Sequence, residues 1–140
     1  MEQTRAGAAL ASVVLAALLA GCGSQDPAAQ FRHQANKICA DGNADIDKLS
    51  RDFGPHGPTA AQLAEAAPQV PRLMTAELDR LAALEPPADL ADEVARMIAE
   101  FRRVVGTMEQ QGTAFFEHGR EHFAKAYAVA KDLGLDTCAQ

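Results

Sequence analysis

Apolar residues recur at steps of three and four along most of this chain, and this spacing constrains the fold more than any other feature. A helix brings residues at these steps onto one face, so each run indicates an amphipathic helix with one buried side. The first run predicts a helix of about 24 residues that begins at Pro27, after the N-cap Asp26, and ends before Gly54. Its expected inward residues are Phe31, Ala35, Ile38, Gly42, Ile46, Leu49 and Phe53.

Three further helical regions follow, each bounded by glycine or proline. Thr59-Ala60-Ala61-Gln62 has the form of a capping box and predicts a short helix to Ala66, with a longer helix continuing to about Leu84. The next helix begins near Ala88, and its first firm break is Gly119. Gly112 favours a kink within it. The last helix runs from Gly119 to Gly134. Expected inward residues of these regions are Val70, Met74, Leu78, Leu81, Leu90, Val94, Met97, Ile98, Phe101, Val104, Val105, Met108, Phe115, Phe123, Tyr127, Ala130 and Leu133.

The chain shows neither the alternation of a β-strand nor an internal repeat. Helical runs joined by short connections favour antiparallel neighbours. The sequence therefore predicts an all-α fold, an antiparallel up-down four-helix bundle that forms one domain over residues 27–140.

The amino-terminal segment has the layout of a secretory signal. An uncharged apolar run from Ala6 to Ala20 follows Arg5, and as a helix it would be about 22 Å long, short of the roughly 30 Å hydrocarbon core. The run ends in Leu19-Ala20-Gly21-Cys22, which has the form of a lipobox and resembles the processing site of bacterial lipoproteins. The alternative is an ordinary cleaved signal peptide with an incidental cysteine.

This resemblance implies a lipoprotein signal peptide over residues 1–21 and a lipidated tether over residues 22–26. It implies that Cys22 becomes the first residue after cleavage and carries fatty acids, palmitate among them, on its thiol. Two or more acyl chains suffice for stable attachment. The expected location is the extracytoplasmic face of the cell membrane, and the expected partner there is an envelope protein or another envelope component.

The charge of the chain excludes some partners. Nineteen acidic and thirteen basic side chains give a formal net charge of −6, and the lysines and arginines form no cluster. Such a surface repels the phosphate backbone of nucleic acids, so we expect no nucleic-acid binding. It also repels anionic lipid headgroups, so attachment to the membrane would depend on the acyl chains.

The chain contains three cysteines, an odd number for an exported protein. If Cys22 is acylated, Cys39 and Cys138 remain in an oxidising compartment, where a disulfide is expected. The alternative is a pair of buried free thiols.

Four local sequences together are similar to those of small secreted or lipid-anchored helical proteins of actinobacteria. They are the spacing of Cys39 and Cys138, the segment from Ala35 to Cys39, the run from Leu81 to Pro87 and the closing segment from Leu133 to Cys138. The resemblance implies the bundle and the disulfide, and it implies no activity.

The sequence contains no recognisable catalytic constellation. Serine occurs at Ser12, Ser24 and Ser50, and none lies in a Gly-x-Ser-x-Gly setting. Glu-x-x-His pairs, phosphate-binding glycine loops and zinc-type cysteine pairs are absent from the sequence as well. We therefore expect a non-enzymatic binding or interaction module that needs no cofactor.

One cluster indicates an alternative function in metal binding or handling. Glu117, His118, Glu121 and His122 lie around Gly119, and on a continuous helix the two histidines would share a face. In an up-down bundle His56 would lie at the same end, so the five side chains form a candidate site for Zn²⁺ or Cu²⁺. The competing interpretation is a solvated polar turn in which His122 packs partly beside Phe123.

Overall fold

The computed structural model describes residues 26–140, in which all regular structure is helical. The α-helices are α1 (Pro27–Ser50), α2 (Ala60–Ala66), α3 (Val70–Ala82), α4 (Ala91–Gln111) and α5 (Gly119–Asp132), with 3-10 helices at Gly112–Glu117 and Asp136–Ala139. The all-α prediction is thus confirmed, with four long helices and the short α2. The predicted signal peptide and the acylated Cys22 lie outside the described residues.

Helix α1 has the limits that its sequence predicts. The Asp26 side chain accepts a hydrogen bond of 3.0 Å from the backbone N–H of Ala28, and Pro27 occupies the first turn, where a backbone donor has no intrahelical acceptor. The predicted stripe faces inward, with Phe31 and Ala35 buried. Ile46, in the second half of the helix, is only partly buried against the core.

The segment between α1 and α3 confirms the capping box. The hydroxyl of Thr59 accepts a hydrogen bond from the backbone N–H of Gln62, and the Gln62 side chain accepts one from the backbone N–H of Thr59. Helix α3 then begins at Val70, with Pro71 in its first turn and buried. Pro68, which lies between α2 and α3, and Pro71 are therefore at positions where they remove no helical hydrogen bond.

The structure corrects the prediction for the region between Ala88 and Gly119. Helix α4 ends at Gln111, and Gly112 has φ +57°, a conformation that side-chain-bearing residues rarely adopt. A 3-10 helix then leads to His118, so the first firm break is Gly112 and not Gly119. Phe115 lies in this 3-10 helix and is buried, although the residue no longer continues the apolar stripe of α4.

Helix α5 ends as its sequence predicts. Gly134 has φ +74°, its N–H donates to the carbonyl of Lys131, and the N–H of Leu135 donates to the carbonyl of Ala130. These two bonds are those of a Schellman motif, in which glycine adopts the left-handed conformation. The turn directs the last residues back across α1.

The helices pack as a connected series around one core. Helix α3 packs against α1 and α4, α4 packs against α5, and the 3-10 helix Asp136–Ala139 packs against both α5 and α1. Nearly all of the described buried apolar side chains, from Phe31 to Cys138, belong to one hydrophobic cluster, as expected of a single domain. Within these residues, no helix has both the length and the hydropathy needed to cross a bilayer.

The predicted disulfide is present and holds the C-terminal segment against α1. Cys39 and Cys138 are bonded, with Cα atoms 5.1 Å apart. Two asparagines of α1 bind the same segment: Asn36 Oδ1 accepts from the N–H of Thr137 at 3.0 Å, and Asn43 Nδ2 donates to the carbonyl of Thr137 at 3.0 Å. The closure of the bundle is therefore both covalent and hydrogen-bonded.

Candidate ligand-binding pocket

An open cavity of about 450 Å³ lies among α1, α3, α4 and α5. Phe123 and Tyr127 of α5 were expected inside the core, yet both are only partly buried because one side of each faces this cavity. The walls are aromatic and aliphatic apart from a few polar groups, the layout of a small-molecule site.

One carboxylate, that of Glu77, enters the cavity from α3. Its neighbours Met74 and Leu78 are buried, and Glu77 itself is half-buried. Among residues 26–140 it accepts no hydrogen bond and forms no ion pair. Burial raises the pKa of Glu77 to about 7, against an opposing effect of the Arg80 charge that favours the ionised form.

The nearest cation on the same helix is directed away from Glu77. Arg80 donates a hydrogen bond of 3.0 Å to the carbonyl of Ile38 and lies 3.6 Å from the carboxylate of Asp41, so it is bound to α1. Glu100 shows the usual arrangement of such groups, since Arg103 and Lys125 donate to it and lower its pKa. Glu77 is exceptional because it combines burial with the lack of such a partner.

Gly42 of α1 makes room for this carboxylate. A Cβ atom at position 42 would overlap Cδ and Oε2 of Glu77. A glycine within a helix is destabilising by roughly 0.5–1 kcal/mol relative to alanine. The buried position of Gly42 on the α1 stripe is therefore explained by the close approach of the Glu77 side chain.

Aromatic rings line the opposite side of the cavity. Phe123 and Tyr127 stack with ring centroids 5.2 Å apart, and Phe101 lies 6.3 Å from Phe123 and 6.0 Å from Tyr127. The Tyr127 hydroxyl donates to the carbonyl of Gln140 at 2.6 Å. Burial raises the pKa of Tyr127. The Arg120 charge opposes this increase in pKa and the Glu77 charge adds to it. All three side chains line the cavity.

A second cavity of about 540 Å³ adjoins the first one. The two share Ile46, Val70 and Phe116 as wall residues, and Phe116 is 36% exposed, a high value for a phenylalanine. The second cavity extends between the end of α1, α2 and the 3-10 helix Gly112–Glu117, and its walls are mostly apolar. We call the two adjoining cavities together the groove; Glu77 lines the first of them and not the second.

The predicted histidine cluster is divided between two helices. His118 has φ −131° and precedes α5, whereas His122 lies within it, so the two do not share one continuous helix. The His122 ring stacks on Phe115 at 4.9 Å with an interplanar angle of 20°. His122 is thus partly buried, as the interpretation of a polar turn expects, but the ring that it stacks on is Phe115 and not the expected Phe123.

The predicted convergence of turns occurs in part. The loop after α1 and the 3-10 helix before His118 line the same cavity, to which Phe53 and Glu117 both contribute. His56 is exposed and is absent from its walls, as is Glu121. Among residues 26–140, no three His, Cys, Asp or Glu side chains are grouped so that they could hold a metal ion. The hypothesis of a Zn²⁺ or Cu²⁺ site stays a prediction.

Sequence reasoning did not identify Glu77 as a site residue. An acidic residue beside an apolar stripe is typical of the edge of a solvated helix face. The sequence alone does not show which residues of the stripe line a cavity. The signal that was present is Gly42, a glycine at an inward helical position of the facing helix. Such a glycine indicates that something approaches the backbone closely.

No protein-family model, curated protein or solved structure matches this chain.

Proposed function

We propose that this chain is a lipid-anchored binding protein of the extracytoplasmic membrane surface, whose groove between α1 and α5 takes up a small, largely apolar ligand. The observation that carries the proposal is the half-buried carboxylate of Glu77, which faces an open aromatic cavity without a partner among the described residues. The carboxylate oxygens are reached by solvent, and partial burial still raises the free-energy cost of ionising them. A carboxyl group perturbed in this way within a cleft is a candidate for a functional site.

The composition of the walls favours binding over catalysis. The described side chains that line the cavity with Glu77 include no serine, threonine, histidine or lysine, and its one cysteine, Cys138, is in a disulfide. A hydroxyl or thiol nucleophile of the serine, threonine or cysteine type, paired with an adjacent histidine or lysine base, is thus not among them. We therefore propose a non-enzymatic module, with an envelope component or a small molecule of the envelope as its ligand.

The proposed orientation places the groove away from the membrane. The sequential packing of α3, α4 and α5 with short connections supports an antiparallel up-down order of the four long helices. With acylation at Cys22, the start of α1 at Pro27 lies near the bilayer. Asn43, in the cavity wall, is about 24 Å further along the helix. The groove would then open to the extracytoplasmic medium.

The test is the binding of a neutral apolar probe to a polypeptide of residues 26–140. N-phenyl-1-naphthylamine should show a saturable rise in fluorescence with one-to-one stoichiometry. Ile46→Phe, at the wall that both cavities share, should weaken binding at least about fivefold, equivalent to about 1 kcal/mol. Ala40→Phe adds the same ring to an exposed position of α1 outside both cavities and should leave binding unchanged. Non-saturable fluorescence, or equal effects of the two variants, would contradict the proposal.

A further inference from the structure

The charge and the walls of the groove define a ligand class, and this inference rests on the binding function proposed above. We infer that the groove selects an organic cation, an amine or quaternary ammonium ion with an apolar body, whose charge lies against Glu77 and whose body packs on Phe101, Phe123 and Tyr127. An ammonium group near aromatic faces is attracted by their electrons, and a nearby carboxylate strengthens the attraction.

The charged groups around Glu77 are consistent with a cationic ligand. Helix α1 contributes Asp47 to the cavity wall, α5 contributes Arg120, and the α4 wall residues Phe101 and Met108 are uncharged. Arg80 of α3 is held by the Ile38 carbonyl and Asp41, so it forms no ion pair with Glu77, although its charge favours the ionised carboxylate. With Glu77 and Asp47 ionised and Arg120 protonated, the side chains that line the cavity carry one net negative charge. The net charge of −6 on the whole chain adds a field that attracts cations.

An anionic ligand fits this cavity less well. Arg120 forms no ion pair with the other described residues and could attract a carboxylate. An anion beside Arg120 would share the cavity with the carboxylates of Glu77 and Asp47, and like charges in a partly desolvated site repel strongly. A neutral apolar ligand would leave the Glu77 carboxylate without a partner.

The experiment compares three probes that share one apolar body and differ in charge: 2-phenylethylammonium, 2-phenylethanol and 3-phenylpropanoate. Tyr127 is the single tyrosine in a chain without tryptophan, so its fluorescence reports events in the cavity directly. At pH 8 residues 26–140 should bind the ammonium at least about tenfold more tightly than the alcohol, about 1.4 kcal/mol, and the carboxylate more weakly than either.

Two variants assign the preference to Glu77. Glu77→Gln keeps the shape of the side chain and should make the ammonium and the alcohol bind alike. Glu65→Gln removes one negative charge from an exposed position of α2 outside the cavities and should keep the preference. Equal affinities for the ammonium and the alcohol in the unchanged protein, or a preference that survives Glu77→Gln, would overturn the inference. Neither result affects the neutral-probe test of the binding function, whose failure would be seen there.

Protonation of Glu77 should compete with the cation. Because the pKa of Glu77 is about 7, the ionised fraction falls about tenfold between pH 8 and pH 6, and the affinity for 2-phenylethylammonium should fall by a similar factor. Glu77→Gln tests this directly: loss of the pH dependence supports the inference, and its persistence contradicts the role given to Glu77.

Discussion

At the scale of single residues, Glu77 should make the fold less stable as the pH rises. Its folded pKa of about 7 lies above the ordinary value of 4.5, so the folded state holds the proton more tightly than the unfolded chain. The contribution of Glu77 to the free energy of unfolding is therefore fully present below pH 4.5 and is lost as the pH rises through 7. Allowing for the partial exposure of the carboxyl group, we expect a loss of about 1 to 2 kcal/mol.

Glu77→Gln should therefore stabilise the protein by about 1 to 2 kcal/mol at pH 8 and have little effect at pH 4. Urea unfolding of residues 26–140 at the two pH values measures this difference, and Glu65→Gln serves as the control that should change neither. An equal effect of Glu77→Gln at both pH values would show that the ionised carboxylate is not destabilised by burial.

Gly42→Ala separates the position of the carboxylate from its charge. The new Cβ would displace the end of the Glu77 side chain from the cavity, while alanine favours the helix by up to about 1 kcal/mol. We expect a protein of equal or greater stability that has lost most of its preference for 2-phenylethylammonium over 2-phenylethanol. Ala44→Gly, at an exposed position of α1, is the propensity control and should lower stability without changing the preference. An unchanged preference in Gly42→Ala would disprove the role of this glycine.

The sequence predicted this site only in fragments. Periodicity placed Ile46, Phe123 and Tyr127 on inward faces correctly, but the same spacing describes a filled core and a lined cavity. A lined cavity differs from a filled core in the volume left empty between the helices. This volume depends on how several helices pack together, so the sequence of one helix does not reveal it. Glu77 likewise lacks a partner because Arg80 is bound elsewhere, to Ile38 and Asp41 of α1.

At the scale of elements, local capping signals were the most predictable part of the fold. Asp26, the Thr59 and Gln62 pair, and Gly134 each act within one turn of chain, so their sequence is sufficient to locate a helix end. The end of α4 was not found. Gly112 was expected to cause a kink, yet its positive φ ends the helix, and a 3-10 helix keeps Phe115 in the core. Tertiary packing of that ring decides the outcome.

The link between α1 and the C-terminal segment should contribute much of the stability. The disulfide joins residues 99 apart in sequence, and bridges typically contribute about 2 to 4 kcal/mol, chiefly by restricting the unfolded chain. Replacing Cys39 and Cys138 together by serine should lower the free energy of unfolding by about this amount. Chemical denaturation of the oxidised protein and the double variant measures it, with the reduced unchanged protein as control. A loss below about 0.5 kcal/mol would show that the asparagine contacts suffice.

At the scale of the whole molecule, the four long helices and the disulfide agree with what the sequence predicts. The run of apolar stripes, the breaks between them and the pair of cysteines predicted an all-α domain, and the described residues confirm it. Nearly all of the predicted inward residues belong to the hydrophobic core of these residues or pack against it.

The membrane anchor is a prediction for the residues before Asp26. Cys22→Ala should release the protein into the medium or stop its processing, because the fatty acids on the thiol supply the attachment. Fractionation of cells with an antibody against the bundle measures this. Cys39→Ala, which removes a cysteine of the disulfide, is the control that should keep the protein at the membrane. A Cys22→Ala protein that is still cleaved at the same bond and still membrane-bound would contradict the lipoprotein assignment.

A nuclear magnetic resonance titration of residues 26–140 with 2-phenylethylammonium shows whether the groove beside Glu77 is a ligand site. Binding there should cause saturable shifts of the backbone amides of Gly42, Glu77, Phe123 and Tyr127, with exposed residues of α2 unaffected. The Glu77 carboxyl carbon should shift towards its ionised form near pH 7 as the cation binds. Saturable shifts that avoid these residues, or a Glu77 carboxyl resonance that does not respond, would contradict it.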